Sequence, residues 1–181
     1  MIQQIDEQLF IFFHQTIQNK FFDVFFRMVE SPLWSNAVIL TFTLIFILRE
    51  RDKRFPVIPF GLTFLLPLFA SGTLKNFFNR PRPLNNPQDL LLSLHTGTAS
   101  FPSQHATIIM AMAVVLSQHY PKYSFWFYLI AGLVGFSRVY LGLHYVTDVL
   151  AGFLIGGAIG IAINRLRIFM PQSILQQQNE K

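Results

Sequence analysis

Ser137-Arg138-Val139-Tyr140-Leu141-Gly142-Leu143-His144-Tyr145-Val146-Thr147-Asp148 joins two strongly apolar runs, Tyr123 to Ser137 and Val146 to Ile163. Apolar runs of this length on either side of an ionisable turn read as helices dissolved in hydrocarbon, and ionisable residues at the ends of such helices mark function. Three more runs of the same character precede them. Leu33 to Leu48 carries no charge and measures about 24 Å as a helix at ~1.5 Å per residue. Phe55 to Leu74 is also uncharged, with Pro56, Pro59 and Pro67 placed to bend it. Ser103 to about Gln118 opens on a Pro-Ser helix-start signal. Composition agrees: of 181 residues 52% are hydrophobic and 13% charged, Phe alone contributes 21, and the mean hydropathy is +0.42.

The first thirty residues differ. Ile2, Ile5, Leu9 and Ile17 share one helical face, with Gln3, Asp6, Glu7, His14 and Gln18 on the other. Lys20 to Val29 is aromatic but also charged. The expectation is one or two interfacial helices on the bilayer, with a sixth, weakly hydrophobic span as the alternative. The expected architecture is all-α: an integral-membrane helical bundle of five to six transmembrane helices with an amphipathic N-terminal helix. Its expected segments are 1–30 (interfacial), 31–170 (transmembrane domain) and 171–181 (a polar, Gln-rich tail). Met1 to Gln8 has no basic region, so no cleavable signal peptide is expected. The absence of Cys excludes disulfides and thiolate metal sites. The net charge of +5 suggests anionic headgroups rather than nucleic acid, because the cations fall at segment ends.

Loop charge sets the expected topology. Arg49, Arg51, Lys53 and Arg54, then Lys122, then Arg165 and Arg167 fall on one side of a five-span chain, which the positive-inside rule makes cytoplasmic. Three polar clusters then meet on the outer face: Lys75 with Arg82-Pro83, Pro102-Ser103-Gln104-His105, and Arg138 with His144 and Asp148. The expected place is a bacterial inner (plasma) membrane, multi-pass, with the clusters facing the periplasm. The outer cations Lys75, Arg80, Arg82 and Arg138 violate the charge rule, and anion binding accounts for the violation.

These residue types suit a phosphate. Arg82 and Arg138 offer planar bidentate donors and Lys75 a point charge. Ser103 stands at a helix N-terminus, where free N–H groups and the helix dipole favour an anion. The same cations would stabilise charge developing on a transferring phosphoryl group. Of the two histidines, one must be neutral to attack phosphorus and the other protonated to release the leaving group. His144 and Asp148 are four apart, so the carboxylate holds one ring nitrogen and aims the other. His144 is therefore the nucleophile and His105 the general acid. No cofactor and no metal is expected, since a divalent cation would be repelled by the Lys and Arg set.

Lys75-x6-Arg82-Pro83, Pro102-Ser103-Gln104-His105 and Ser137-Arg138-x5-His144-x3-Asp148 together resemble the three-part signature of the type-2 phosphatidic acid phosphatase superfamily. The resemblance implies phosphate binding by Lys75, Arg82, Ser103 and Arg138. It also implies His105 as acid, His144 as nucleophile and Asp148 as its partner, in a helical membrane bundle. The family usually has Gly where this chain has Gln104. That position lends a backbone N–H to the phosphate, and the Gln104 side chain is expected to touch the pocket or the substrate.

The expected function is a metal-independent lipid phosphatase working through a phosphohistidine, with undecaprenyl diphosphate first among substrates. Lipid A 1-phosphate and phosphatidylglycerophosphate or phosphatidic acid follow. A lipid phosphotransferase and a non-catalytic lipid-phosphate binder stay open. Gly152, Gly156 and Gly160 read as a packing stripe within the bundle, and more weakly as a homodimer face. Arg80 reads as a fourth phosphate or headgroup contact or as a solvated loop cation. His95 reads mainly as a loop residue with a smaller prospect of touching substrate, and His14 and His119 as interfacial. Phe21, Phe22, Phe25 and Phe26 read as a membrane anchor, and Asn85-Asn86-Pro87 as a turn.

Overall fold

The central element is a helix of small residues. In the computed structural model, which describes residues 2–30, 57–83 and 99–168, this helix spans Gln104–His119 and is α4 in chain order. Ala106, Thr107, Ala111, Ala113 and Val115 are its buried residues, and their small volumes let neighbouring helices come close. Around it stand α3 (Val57–Phe78), α5 (Ser124–Tyr140) and α6 (Val146–Ile168). A single 3₁₀ turn, Pro121–Tyr123, reverses the chain between α4 and α5. The N-terminal part folds as α1 (Ile2–Ile11), a π-helical turn over Phe12–Thr16, and α2 (Lys20–Glu30). All regular structure among the described residues is helical.

Glycine fixes the contact of α4 with α6. A Cβ on Gly152 would stand 2.7 Å from the Ser103 carbonyl oxygen, and one on Gly160 would stand 2.8 Å from Val114 Cβ. One on Gly156 would press into the Thr107 backbone, with its Cα 3.1 Å away. The stripe therefore packs within the bundle. The weaker homodimer reading loses its face, because α4 already occupies it.

Burial is inverted relative to a water-soluble core. Thr63, Ser71, Lys75, Ser103, Thr107, Ser137, Asp148 and Asn164 are buried, whereas Phe64, Leu65, Phe69, Phe125, Trp126, Leu133, Leu150 and Leu154 are exposed. Hydrocarbon as the surrounding solvent explains both halves of this pattern. Among the described residues one helix, Val146–Leu166, is long and apolar enough to cross a membrane by length and composition. The helix α4 has 16 residues and α5 has 17, short of the roughly 20 a simple span needs.

Several expected boundaries move. The helix α3 runs past Leu74 to Phe78, passing through Pro67, so Lys75 lies in its last turn rather than at a loop edge. It stops at Asn79, whose φ of 40° is the left-handed conformation that Asn tolerates after a helix. Likewise α5 includes Ser137 and Arg138, which the sequence placed at its end. A sixth span within residues 2–30 is replaced by two short helices, since regular structure breaks between Thr16 and Lys20. The expected span 33–48, the basic loop 49–54, His95, the turn at 85–87 and the tail 171–181 lie outside the described residues.

The N-terminal helices dock onto the end of α5 instead of lying apart from the bundle. Phe26 is buried with its ring 5.0 Å from that of Tyr140, while Phe21 and Phe25 stay exposed. Phe26 therefore packs within the protein rather than serving as part of an anchor. The Tyr140 hydroxyl donates to Asp23 Oδ1 at 2.7 Å, and His14 Nδ1 is 2.7 Å from the Tyr140 carbonyl. His14 thus caps a helix end rather than meeting the interface. His119 sits 2.8 Å by Nδ1 from the Val115 carbonyl of its own helix.

Gly156→Ala should lower stability by about 1–3 kcal/mol through overpacking against Thr107. Gly157→Ala should be neutral or stabilising, because the nearest atom to its added Cβ is Met110 Cγ at 4.0 Å. Thermal unfolding in detergent micelles separates the two, and equal melting temperatures would refute the packing.

Candidate active site

Four stretches of chain meet at one end of the bundle: the last turn of α3 with residues 79–83, the start of α4, the end of α5, and the turn into α6. The flanks of the first are tied together. Lys75 Nζ donates to the Ala99 carbonyl at 2.6 Å, Ser100 N to the Arg80 carbonyl at 2.7 Å, and Ser100 Oγ to the Pro81 carbonyl at 3.1 Å. These bonds bring the approach to α4 beside the end of α3. Arg82 is buried and reaches across to the Leu143 carbonyl with Nη1 at 3.3 Å.

The α4 entry is held against α6. Ser103 caps α4 with extended backbone, φ −71° and ψ 112°, and its N–H donates to the Asp148 carbonyl at 3.0 Å. Its carbonyl accepts the Thr107 N–H at 3.0 Å and the Thr107 hydroxyl at 2.9 Å. The Ser103 side chain is fully buried, yet its Oγ has no hydrogen-bond partner among the described residues. A buried hydroxyl of this kind costs free energy unless a ligand meets it. Beside it are the first-turn N–H groups of α4, which have no acceptor within the helix. Gln104 is half-buried at this point, and His105 is exposed at the mouth.

The third cluster owes its geometry to Gly142, whose φ of 75° favours glycine. The turn there folds the chain back, so that the N–H groups of Leu143 and His144 both donate to the Arg138 carbonyl, at 3.0 and 3.2 Å. His144 and Arg138 are therefore fixed side by side, and both are buried. His144 Nδ1 faces Asp148 Oδ2 at 3.6 Å, which is ion-pair distance and longer than a hydrogen bond. That orientation leaves Nε2 as the ring nitrogen free of the carboxylate. Burial, together with the nearby charges of Arg82 and Lys75, pushes the His144 pKa down to about 4 against the opposing pull of Asp148. The imidazole is accordingly neutral at pH 7.

The predicted residues come together in space. His105 lies within electrostatic reach of Arg138, His144, Arg82 and Lys75. His144 lies within reach of Asp148, Arg82 and Lys75. The result is a cup with three cations, a buried hydroxyl and two imidazoles, one of them backed by a carboxylate.

Arg80 departs from both sequence readings. Its Nη1 donates to Asp148 Oδ1 at 2.7 Å and to Thr147 Oγ1 at 2.8 Å, and its Nη2 donates to Asp6 Oδ2 at 2.7 Å. The guanidinium also lies 4.1 Å over the Tyr145 ring. It is neither a solvated cation nor a free phosphate donor, since two carboxylates hold it. Asp6, expected on the outward polar face of α1, is 1% exposed. It accepts from Thr147 N at 3.1 Å, and the Thr147 hydroxyl donates to its Oδ2. Sequence reading missed Asp6, Thr147 and Tyr145. The only local hint was the position of Tyr145 and Thr147 between His144 and Asp148.

Comparison with known proteins gives the family. The chain is 37% identical over 138 residues to phosphatidylglycerophosphatase B of Bacillus subtilis, a match that covers 70% of this chain and 64% of that protein. It is 34% identical over 117 residues to an undecaprenyl-diphosphatase of Sulfolobus acidocaldarius, covering 63% of this chain and 56% of that protein. The aligned part thus spans less than two thirds of either relative. The crystal structure of Aquifex aeolicus LpxE superposes with a TM-score of 0.67 at 31% identity, covering 87% of this chain and 93% of the other. Residues 56–169 match the family model of the PAP2 superfamily, and the chain belongs to that superfamily.

Proposed function

We propose that the protein is an integral-membrane lipid phosphatase that cleaves a phosphate monoester or diphosphate through a phosphohistidine, without a metal. One observation carries the reading. His144 is a neutral ring backed by Asp148, with Arg82 and Lys75 in electrostatic reach and its own backbone N–H on the Arg138 carbonyl, while His105 lies within reach of His144, Arg138, Arg82 and Lys75 and the Ser103 N–H holds the Asp148 carbonyl. In the first step His144 Nε2 forms a bond to phosphorus, the bond from phosphorus to the leaving oxygen breaks, and His105 gives that oxygen its proton. Asp148 stabilises the positive charge that develops on the His144 ring. In the second step water attacks phosphorus, gives a proton to His105, and the P–N bond breaks to release phosphate. The cations stabilise charge on the equatorial oxygens in both steps. They also make a divalent metal unnecessary and unwelcome.

Among lipids, an isoprenoid diphosphate such as undecaprenyl diphosphate is the first candidate. Three cations balance the charge of a diphosphate more fully than that of a monoester, and one relative bears the name undecaprenyl-diphosphatase. The exposed apolar surfaces of α3 and α5 leave a lipid tail in the bilayer while its headgroup enters the cup.

An outward-facing site fits the arrangement of the chain. Residues 2–30 dock at the site end, whereas α3 starts about 27 Å away at the other end, at ~1.5 Å per residue. The loop-charge reading puts Lys122, at the end of the bundle away from the site, on the cytoplasmic side.

Phosphate release from a panel of lipid phosphates in detergent tests the chemistry. Wild-type protein should keep full activity in chelator, and His144→Ala should have none; activity lost in chelator refutes the mechanism. Because His144 must be neutral to attack, kcat/KM for a phosphate ester whose leaving group needs no proton from His105 should fall as pH drops through about 4. An acid limb at 6 or above would contradict a buried neutral ring.

Topology has its own readout, made simple by the absence of Cys. A membrane-impermeant maleimide added to intact cells should label Gln8→Cys and spare Lys122→Cys. The reverse pattern would place the site in the cytoplasm.

A further inference from the structure

We propose that α1 is a positioning element of the active site: Asp6 holds Arg80, and Arg80 holds the carboxylate that orients His144. The inference rests on the reading of His144 and Asp148 given above and adds two residues to it.

The geometry is a bridge of two ion pairs. Arg80 spends Nη2 on Asp6 and Nη1 on Asp148, each at 2.7 Å. Both carboxylates have side chains with no solvent exposure, while the Arg80 side chain is 25% exposed at the rim. A buried carboxylate is costly unless its oxygens are satisfied. Asp148 meets that need with Arg80 on Oδ1 and with the Tyr145 N–H, at 3.0 Å, on Oδ2. Oδ2 is the oxygen that faces His144 Nδ1. Two donors from different directions thus fix the plane of the carboxylate and aim Oδ2 at the ring.

Asp6 does the same for Arg80. Its position is set by the Thr147 backbone N–H and hydroxyl, which belong to the residue just before Asp148. The loop Asp6–Arg80–Asp148 closes through Thr147 and leaves the guanidinium one seat. Tyr145 covers its face. Phe10, one turn along α1 from Asp6, packs its ring 5.9 Å from that of Tyr145 and 5.1 Å from that of His14. The helix is therefore held onto the site by aromatic contact as well as by charge.

The function of the bridge follows from its charge. A carboxylate alone behind His144 would hold a proton on the ring and spoil the nucleophile. Arg80 draws off part of that negative charge while preserving the geometry, and Asp6 keeps Arg80 from turning to the substrate phosphate. The charged and titratable groups around the pair are Asp6 and Glu7 on α1, Arg80, Lys75 and Arg82 on α3 and its loop, His105 on α4, Arg138 on α5, and Tyr145.

The test uses Asp6→Asn, Arg80→Gln, Arg80→Lys, the double variant and His144→Ala in the full chain, with phosphate release from a lipid phosphate as the assay. Asp6→Asn keeps the shape and the acceptor for Thr147 N–H, so the fold survives; equal elution and melting temperature check this. Expected losses in kcat are about 10-fold for Asp6→Asn and about 10- to 100-fold for Arg80→Gln, with KM unchanged, as for a misplaced catalytic group. Arg80→Lys should recover part of the loss, since an ammonium can reach one carboxylate at a time. Arg80→Gln should also move the acid limb of kcat/KM to higher pH, because Asp148 then holds the His144 proton more firmly. The double variant should be no worse than Arg80→Gln alone. A rise in KM with kcat unchanged makes Arg80 a substrate contact and overturns the proposal, as do multiplying losses in the double variant. An inert His144→Ala beside unimpaired Asp6→Asn and Arg80→Gln overturns the bridge alone, whereas an active His144→Ala overturns the underlying reading with it.

Discussion

The close approach of α4 to α6 is the constraint on which the site depends. Glycine at 152 leaves the Ser103 carbonyl against the α6 backbone, and the Ser103 N–H then reaches the Asp148 carbonyl at 3.0 Å. This single bond joins the helix start proposed to bind phosphate to the first turn of the helix that carries the carboxylate. Moving α6 outward by the width of a methyl group would separate the Ser103 hydroxyl from the His144–Asp148 pair. The packing of small residues is therefore a positional device for chemistry at the helix ends as well as a source of stability.

Electrostatics sets the second condition. Lys75, Arg82 and Arg138 are buried at one end of an apolar bundle, where like charges repel. Asp148 offsets part of the repulsion, but it sits on the far side of His144. Arg80 in turn draws part of the Asp148 charge toward Asp6. The charges alternate along the line of contacts: Asp6, Arg80, Asp148, and then the ring of His144 facing the cations. A phosphate would complete that alternation, which is the physical reason for reading the cup as an anion site.

Much of this was legible in the sequence because it is local. Helix ends, proline, glycine and the order of apolar runs suffice to bring Lys75, Ser103, His105, Arg138, His144 and Asp148 to one end of a bundle. The four-residue spacing of His144 and Asp148 correctly indicated that they face each other. Boundaries were less legible. Apolar runs say where a helix is soluble in lipid but not where its hydrogen bonding stops, and α3 and α5 each continue until Asn79 and Gly142 take positive φ. Asp6 was illegible for a different reason. On an isolated helix it belongs to the polar face, and only a partner 74 positions away turns that face inward. Arg80 was misread with it, since a cation beside a phosphate motif looks like part of the motif until its carboxylates are seen.

The arrangement separates recognition of phosphate from recognition of the lipid. Under the proposed reading the cations and Ser103 of the cup act on oxygen attached to phosphorus, which every lipid phosphate carries, and so are neutral to the lipid itself. Within it, Gln104 is the residue placed to depart from that neutrality. It stands half-buried at the α4 start, between the buried Ser103 and the exposed His105. Its amide can donate and accept, whereas the surrounding cations only donate. An acceptor at this point suits a hydroxyl or amine on the leaving group and adds nothing for phosphate itself. Selectivity arising at Gln104 would then act on the group being released, while the proposed role of Lys75, Arg82 and Arg138 is to hold what is transferred.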